Sequence, residues 1–214
     1  MNFKLFSKNN IIPKDLFKFL NNRKIRCINI NHRSGDYVYS VDNQYILKIS
    51  KNKDRLEREK AANDYLINKL PVSQSVLYLE DVNYSYYVKT KLEGTSLVSK
   101  KYLKNPKKLA KLLGQAMKMF HSATSPNCPL VNLNTNGSIL IHGDFCLPNI
   151  LVKNNKISGF IDTEATGLGD PWEDYAWCIW SYEYNLGTKE YTNFLLEELN
   201  IELNLEKFNK HINI

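Results

Sequence analysis

The segment His142-Gly143-Asp144-Phe145-Cys146-Leu147-Pro148-Asn149, followed downstream by Gly159-Phe160-Ile161-Asp162, decides how this chain is read. The apolar triplet Ile139-Leu140-Ile141 leads into it as a short strand. Two further β-type runs, Ile150-Leu151-Val152 and Ile157 to Ile161, flank Asn154-Asn155. Paired asparagines tolerate positive φ, so these runs form a hairpin. The pattern therefore presents an aspartate, an asparagine five residues on, and a second aspartate beyond a hairpin. Asp144 can accept the proton of a hydroxyl. Asn149 offers a neutral amide oxygen and Asp162 a charged one, a hard donor set suited to Mg²⁺.

Working towards the N-terminus, Tyr37 to Val41 and Tyr45 to Ile49 read as strands joined by the turn Asp42-Asn43-Gln44. A helix follows, with Asp54 and Glu57 as a capping box, and runs to about Lys69 before Pro71 stops it. Strands are predicted near Val76 to Leu79 and Tyr84 to Val88, and a lobe boundary between Thr90 and Gly94. Lys48 sits inside the apolar strand Tyr45-Ile46-Leu47-Lys48-Ile49, where an unpaired ammonium would be costly. Glu57 and Glu59 are the available partners. At helical spacing Glu59 shares its face with Leu56, Ala62, Asn63 and Leu66, whereas Glu57 shares a polar face with Lys60, Ala61 and Asp64. Helix geometry therefore selects Glu59. A lysine and glutamate in the first part and an Asp/Asn/Asp set in the second are the parts of phosphoryl transfer. Read alone, Lys48 would equally serve as an edge-strand lysine that blocks aggregation.

Beyond the boundary, helices dominate. Asn105 caps a helix with Pro106 at its first position and an apolar stripe of Leu109, Leu112, Leu113, Ala116, Met117 and Phe120. A polar loop covers residues 122–136, and Asp174 to Tyr182 and Thr188 to Leu199 read as helices. The fold class expected is α+β, a small antiparallel-sheet lobe with one major helix over residues 1–90 and a mainly helical lobe with a catalytic hairpin over 91–214.

The chain has 214 residues, 43% hydrophobic and 24% charged, which excludes a disordered chain or a fibrous repeat. No stretch approaches a membrane span, and the first twenty residues lack a signal-peptide apolar core. The cytoplasm is therefore the expected compartment. Cys27, Cys128, Cys146 and Cys178 show no CxxC or zinc spacing and read as reduced thiols, and nothing in the sequence demands more than a monomer. The net charge is +7, yet His142 to Glu183 holds seven acids and two bases, Lys153 and Lys156. That block suits Mg²⁺ or an amine-bearing ligand, or else a solvated face. The lysines from Lys100 to Lys111 fit the wet face of the capped helix better than a nucleic-acid patch.

At these residues the chain resembles the aminoglycoside phosphotransferase family, which shares the protein-kinase-like fold with choline kinases. The resemblance to aminoglycoside 3′-phosphotransferases runs through Leu56-Glu57-Arg58-Glu59-Lys60, Phe120-His121-Ser122, Cys128-Pro129, His142-Gly143-Asp144, Ile157 to Asp162 and Asp174-Tyr175-Ala176. It implies ATP or GTP and Mg²⁺ as cofactors, and a small hydroxyl-bearing acceptor, an aminoglycoside first, with an amino alcohol or a sugar as the alternative. A nucleotide-binding pseudokinase is the alternative outside the enzymes. The resemblance also implies Asp144 as the catalytic base, with Asn149 and Asp162 on the metal. Lys48, Glu59, the phosphate-loop Ser34 and the linker Thr90-Lys91-Leu92 fall to the nucleotide. His142 and Asp174 would brace the catalytic loop. Close relatives carry a helical insert after the Phe-His-Ser helix, an acidic C-terminal ending in some cases, and a Gly-Arg pair where this chain has Glu164-Ala165. Only twenty residues separate His121 from His142 here. Glu164, Glu173 and Glu183 are then the candidate contacts to an amine.

Overall fold

Turn chemistry sets the first sheet. In the computed structural model, which describes residues 12–31 and 36–212, Asp42 and Asn43 both adopt left-handed backbone, with φ of 53° and 58°. That is the geometry a tight hairpin needs, and short polar side chains tolerate it. It joins β2 (Asp36–Val41) to β3 (Tyr45–Ser50), with Val38 opposite Lys48. With β1 (Ile25–Asn31), β4 (Ser75–Glu80) and β5 (Ser85–Thr90), they form an antiparallel sheet in the order β1-β2-β3-β5-β4. Strand alternation gives the sheet two chemically different faces. Leu47, Ile49, Tyr86 and Val88 turn to one face and pack with Leu16 and Leu20 of α1 (Lys14–Leu20). Lys48 lies opposite Tyr87 and turns to the other face.

That second face meets α2 (Lys53–Leu66) through Lys48 with Glu59 and Tyr87 with Asn63, and Leu56, Glu59, Ala62 and Asn63 of the helix are buried. The capping box expected at Asp54 and Glu57 is not what starts this helix. Asn52 caps it instead, its side-chain oxygen accepting from the Arg55 amide at 3.3 Å. Asp54 lies inside the first turn, where its charge suits the helix dipole, and Glu57 is exposed. The regular helix stops at Leu66 rather than near Lys69, and the amides of Lys69 and Leu70 close onto the Leu66 carbonyl.

Contacts divide the described chain into two units. One takes in the described residues up to Asp64 with Ser73–Lys91, and the other Tyr65–Val72 with the residues from Leu92 on. In the second, α3 (Lys100–Leu103) precedes α4 (Pro106–His121). The Asn105 side chain caps α4 by accepting from the Lys108 amide at 3.0 Å, and the whole stripe from Leu109 to Phe120 is buried. Phe120 is the hub of this core, 5.0 Å from the Phe160 ring and 5.3 Å from that of His142. Three small strands, β6 (Thr95–Ser96), β8 (Ile150–Lys153) and β9 (Lys156–Phe160), make one ladder. The turn between β8 and β9 has Asn154 and Asn155 at φ of 52° and 60°, as their sequence predicts. β7 (Ile139–Ile141) pairs with β10 (Gly167–Gly169). Next comes α5 (Pro171–Leu186), longer at both ends than expected because Asp170 caps it by accepting from Trp172 and Pro171 takes its first position. α6 (Thr192–Leu199) starts later than Thr188, and α7 (Leu205–His211) closes the described chain. All four cysteines are free. Among the described residues no helix is long and apolar enough to cross a membrane.

Candidate active site

In the second unit the segment between β7 and β8 is held from underneath by one buried carboxylate. Asp174 on α5 is fully buried. Its two oxygens accept the backbone amides of His142 at 2.9 Å and Gly143 at 2.8 Å, and the His121 ring nitrogen lies 3.0 Å away. Gly143 has φ of 79°, and a Cβ there would lie 2.6 Å from the Ala165 carbonyl oxygen, so the position requires glycine. The His142 ring is buried and adds a second brace. Its Nδ1 accepts from the Asp144 amide at 3.3 Å, so the other ring nitrogen carries the proton and donates to the Ile161 carbonyl at 3.0 Å. The Leu147 amide donates to the Ser181 hydroxyl of α5 at 3.0 Å. Both expected bracing residues, His142 and Asp174, are thus bonded to the segment itself.

These braces present Asp144 and Asn149. The Asn149 side-chain nitrogen donates to the Asp144 carboxylate at 2.8 Å and to its carbonyl at 3.0 Å. With that nitrogen committed, the amide oxygen of Asn149 is the atom left to serve a cation. The Asn149 carbonyl accepts the Ile161 amide at 3.0 Å, which ties the residue before Asp162 to the same loop. Asp162 has left-handed backbone, φ 57° and ψ 53°, a costly conformation for a residue with a side chain. Carboxylate oxygens of Asp162 and Glu164 approach within 4.8 Å of each other, close enough to share a divalent ion. Asn149, Asp162 and Glu164 all offer hard oxygen, and this donor set fits Mg²⁺. Glu164, expected to contact substrate, instead has its carboxylate beside that of Asp162. Burial and the nearby Asp144 push the Cys146 thiol far above its ordinary range, which makes it an inert wall and not a nucleophile.

In the first unit Lys48 donates to both Glu59 oxygens at 2.8 Å, and Glu59 is fully buried. Helix spacing indicated this pair; it did not indicate Lys89. Lys89 on β5 is buried and also donates to Glu59. Strand alternation places Lys89 on the face of Tyr87, which lies opposite Lys48, so the two ammonium groups reach the same carboxylate.

Other expected positions stand differently. Ser34 lies outside the described residues. The Thr90 and Lys91 amides are committed within the fold, to the carbonyls of Gln74 at 2.9 Å and Gln44 at 2.7 Å. Only the third linker residue, Leu92, keeps an amide without a hydrogen bond among the described residues. Glu173 and Glu183 are both taken up internally. Glu173 is buried, accepts from Asn134 at 2.9 Å and lies 3.6 Å from His211 of α7, while Glu183 accepts from Thr192 at 2.7 Å. Desolvation raises the Glu173 carboxyl above the ordinary glutamate value, as Asp174 and Asp170 also do, against the Asn134 hydrogen bond and the His211 ring, which lower it.

Residues 137–203, which contain the braced loop, match the profile of the phosphotransferase enzyme family. A probable aminoglycoside 3′-phosphotransferase of Lactococcus lactis is 30% identical over 189 residues, covering 69% of this chain and 72% of that protein. The aminoglycoside 3′-phosphotransferase of Enterococcus faecalis is 26% identical over 203 residues, covering 73% and 76%. Among solved structures, aminoglycoside phosphotransferase APH(3″)-Id from Streptomyces rimosus, in complex with ADP and streptomycin, superposes with a TM-score of 0.75. That match has 14% identity and covers 99% of this chain and 96% of that one. The type VIII aminoglycoside 3′-phosphotransferase gives a TM-score of 0.74 at 16% identity, with the same coverage. The chain belongs to the aminoglycoside phosphotransferase family of phosphotransferase enzymes.

Proposed function

We propose that this protein moves the γ-phosphate of ATP or GTP, with Mg²⁺, onto a hydroxyl of a small cationic molecule, an aminoglycoside first. The observation that carries the reading is the Asp144–Asn149 contact on a loop fixed by Asp174 and His142. It supports the reading because it commits the Asn149 side-chain nitrogen to Asp144 and leaves the amide oxygen as the atom that could serve a metal. Asp144 takes the hydroxyl proton as the acceptor oxygen attacks phosphorus. Asn149 and Asp162, with Glu164, would hold Mg²⁺, which would offset charge on the phosphates. Lys48, set by Glu59, binds the nucleotide's phosphates. The Leu92 amide is the linker donor open to the base. Residues 1–90 serve the nucleotide and 91–214 the chemistry and the acceptor. Such a device works by positioning and electrostatics, with no covalent intermediate on the protein. Free thiols suit a cytosolic protein.

One observation favours a second acceptor class. Glu173 and Glu183 are engaged inside the fold, which leaves fewer carboxylates for a polyamine. An amino alcohol or a sugar would need fewer. A panel of aminoglycosides, choline-like amino alcohols and sugars, read by nucleotide consumption and by mass gain of the acceptor, separates them. Phosphorylation of kanamycin-type compounds supports the first reading. Turnover on choline or a sugar with none on aminoglycosides replaces it with the second. Metal-independent nucleotide binding without any turnover would point to a pseudokinase and reject both.

A further inference from the structure

Glu59 is shared by two lysines, and only one of them has a place in the reaction as described so far. The Lys48 side chain is 12% accessible, while that of Lys89 is 4% accessible and the glutamate is sealed. Lys89 is anchored on three sides. Its backbone lies between Ile46 of β3 and Ser75 of β4. Its ammonium lies 5.9 Å from the centre of the Tyr87 ring, whose hydroxyl is fixed in turn by Asn63 at 3.0 Å and Ser75 at 2.8 Å. A buried carboxylate with one cation loses its compensation whenever that cation turns elsewhere. Lys48 must do so if it is to bind phosphate.

We propose that Lys89 is a positioning residue for nucleotide binding. It stays on Glu59 when Lys48 turns part of its hydrogen bonding to the phosphates, and so keeps the glutamate in place and able to orient Lys48. The inference rests on the proposed role of Lys48, and it concerns a buried strand lysine that would otherwise read as an oddity of packing. Lys89 touches neither nucleotide nor acceptor. Its effect must therefore pass through the Glu59–Lys48 pair.

A double-mutant cycle on the full chain tests this, with the dissociation constant for Mg·ATP measured by calorimetry and unfolding by urea. Lys89→Met keeps length and burial and removes the ammonium. It is expected to weaken Mg·ATP about tenfold in the wild-type background and less than about twofold in Lys48→Met, because coupled residues are not additive. It is also expected to raise the nucleotide KM while leaving the acceptor KM unchanged. Lys89→Arg, which keeps the charge, should bind within about threefold of wild type, and covers the case in which the methionine variant does not fold. Equal weakening in both backgrounds, or a fall in stability with unchanged nucleotide affinity, overturns the proposal, as does an arginine variant that folds as well as wild type but binds as poorly as methionine. If Lys48→Met itself leaves Mg·ATP affinity unchanged, the reading of Lys48 fails, and with it the premise of this inference.

Discussion

Replacing Asp174 by alanine removes the one buried carboxylate on which the loop from His142 to Asn149 rests. Two backbone amides, of His142 and Gly143, would be left in a sealed interior without an acceptor, and the His121 ring would lose its partner. An orphaned buried donor costs ~1–3 kcal/mol. The two amides together then cost about 4 kcal/mol, and the ring contact adds less because His121 can turn to water. At this chain length about 4 kcal/mol lowers the melting temperature by roughly 12 °C. Asp174→Asn keeps one acceptor oxygen and presents an NH₂ group to one of the amides, so about half of that loss is expected. The assay is urea unfolding followed by tryptophan emission, since all three tryptophans, Trp172, Trp177 and Trp180, lie on α5 with Asp174. Turnover at a denaturant-free temperature should fall at least ~100-fold in the alanine variant, because a loop displaced by about 1 Å loses that much. An alanine variant within about 1 kcal/mol of wild type would refute the reasoning, since those amides would then have another acceptor or access to water.

Gly143→Ala should destabilise by about 3 kcal/mol, from ~1–2 kcal/mol for left-handed backbone and the rest from the Ala165 carbonyl and the Asn132 amide that crowd the new methyl. A urea midpoint equal to wild type would show that the loop shifts freely. Glu173→Gln tests the raised carboxyl. A glutamate whose folded pKa lies above its unfolded value binds more protons folded, so its contribution weakens the fold as pH rises from about the ordinary 4.5 through the raised folded value. The glutamine variant should therefore gain on wild type between acid and neutral pH and match it only at the acid end. A stability difference independent of pH would contradict that.

Both hairpins were legible because their turns are written in adjacent residues. Asp42-Asn43 and Asn154-Asn155 reach left-handed backbone at little cost, and the strand periodicity either side follows. The Lys48–Glu59 pair was legible because three- and four-residue helical spacing separates the buried face of α2 from the face of Glu57. Lys89 escaped although the signal was of the same kind, a lysine in the apolar run Tyr86-Tyr87-Val88. Its partner follows only once β5 is known to lie beside β3, and strand order is not a local property. The clasp of Glu173 by Asn134 and His211 joins residues far apart in the chain, with nothing near any of them to announce it. The three-residue strands β7 and β10 are too short for periodicity to identify them; β7 was read from its apolar triplet beside the motif, and β10, Gly-Leu-Gly, has no such neighbour. The α2 cap was misread because Asp54 and Glu57 fit the capping pattern as well as Asn52 does, and backbone geometry decides between them.

The most direct test is Asp144→Asn, measured two ways on one preparation. Turnover with the preferred acceptor should fall by about 10³-fold or more, as expected when a general base is lost, while the dissociation constant for Mg·ATP stays within about threefold. A variant that still transfers phosphate at near the wild-type rate would show that the proton goes elsewhere, and that the braced loop is not the seat of the chemistry.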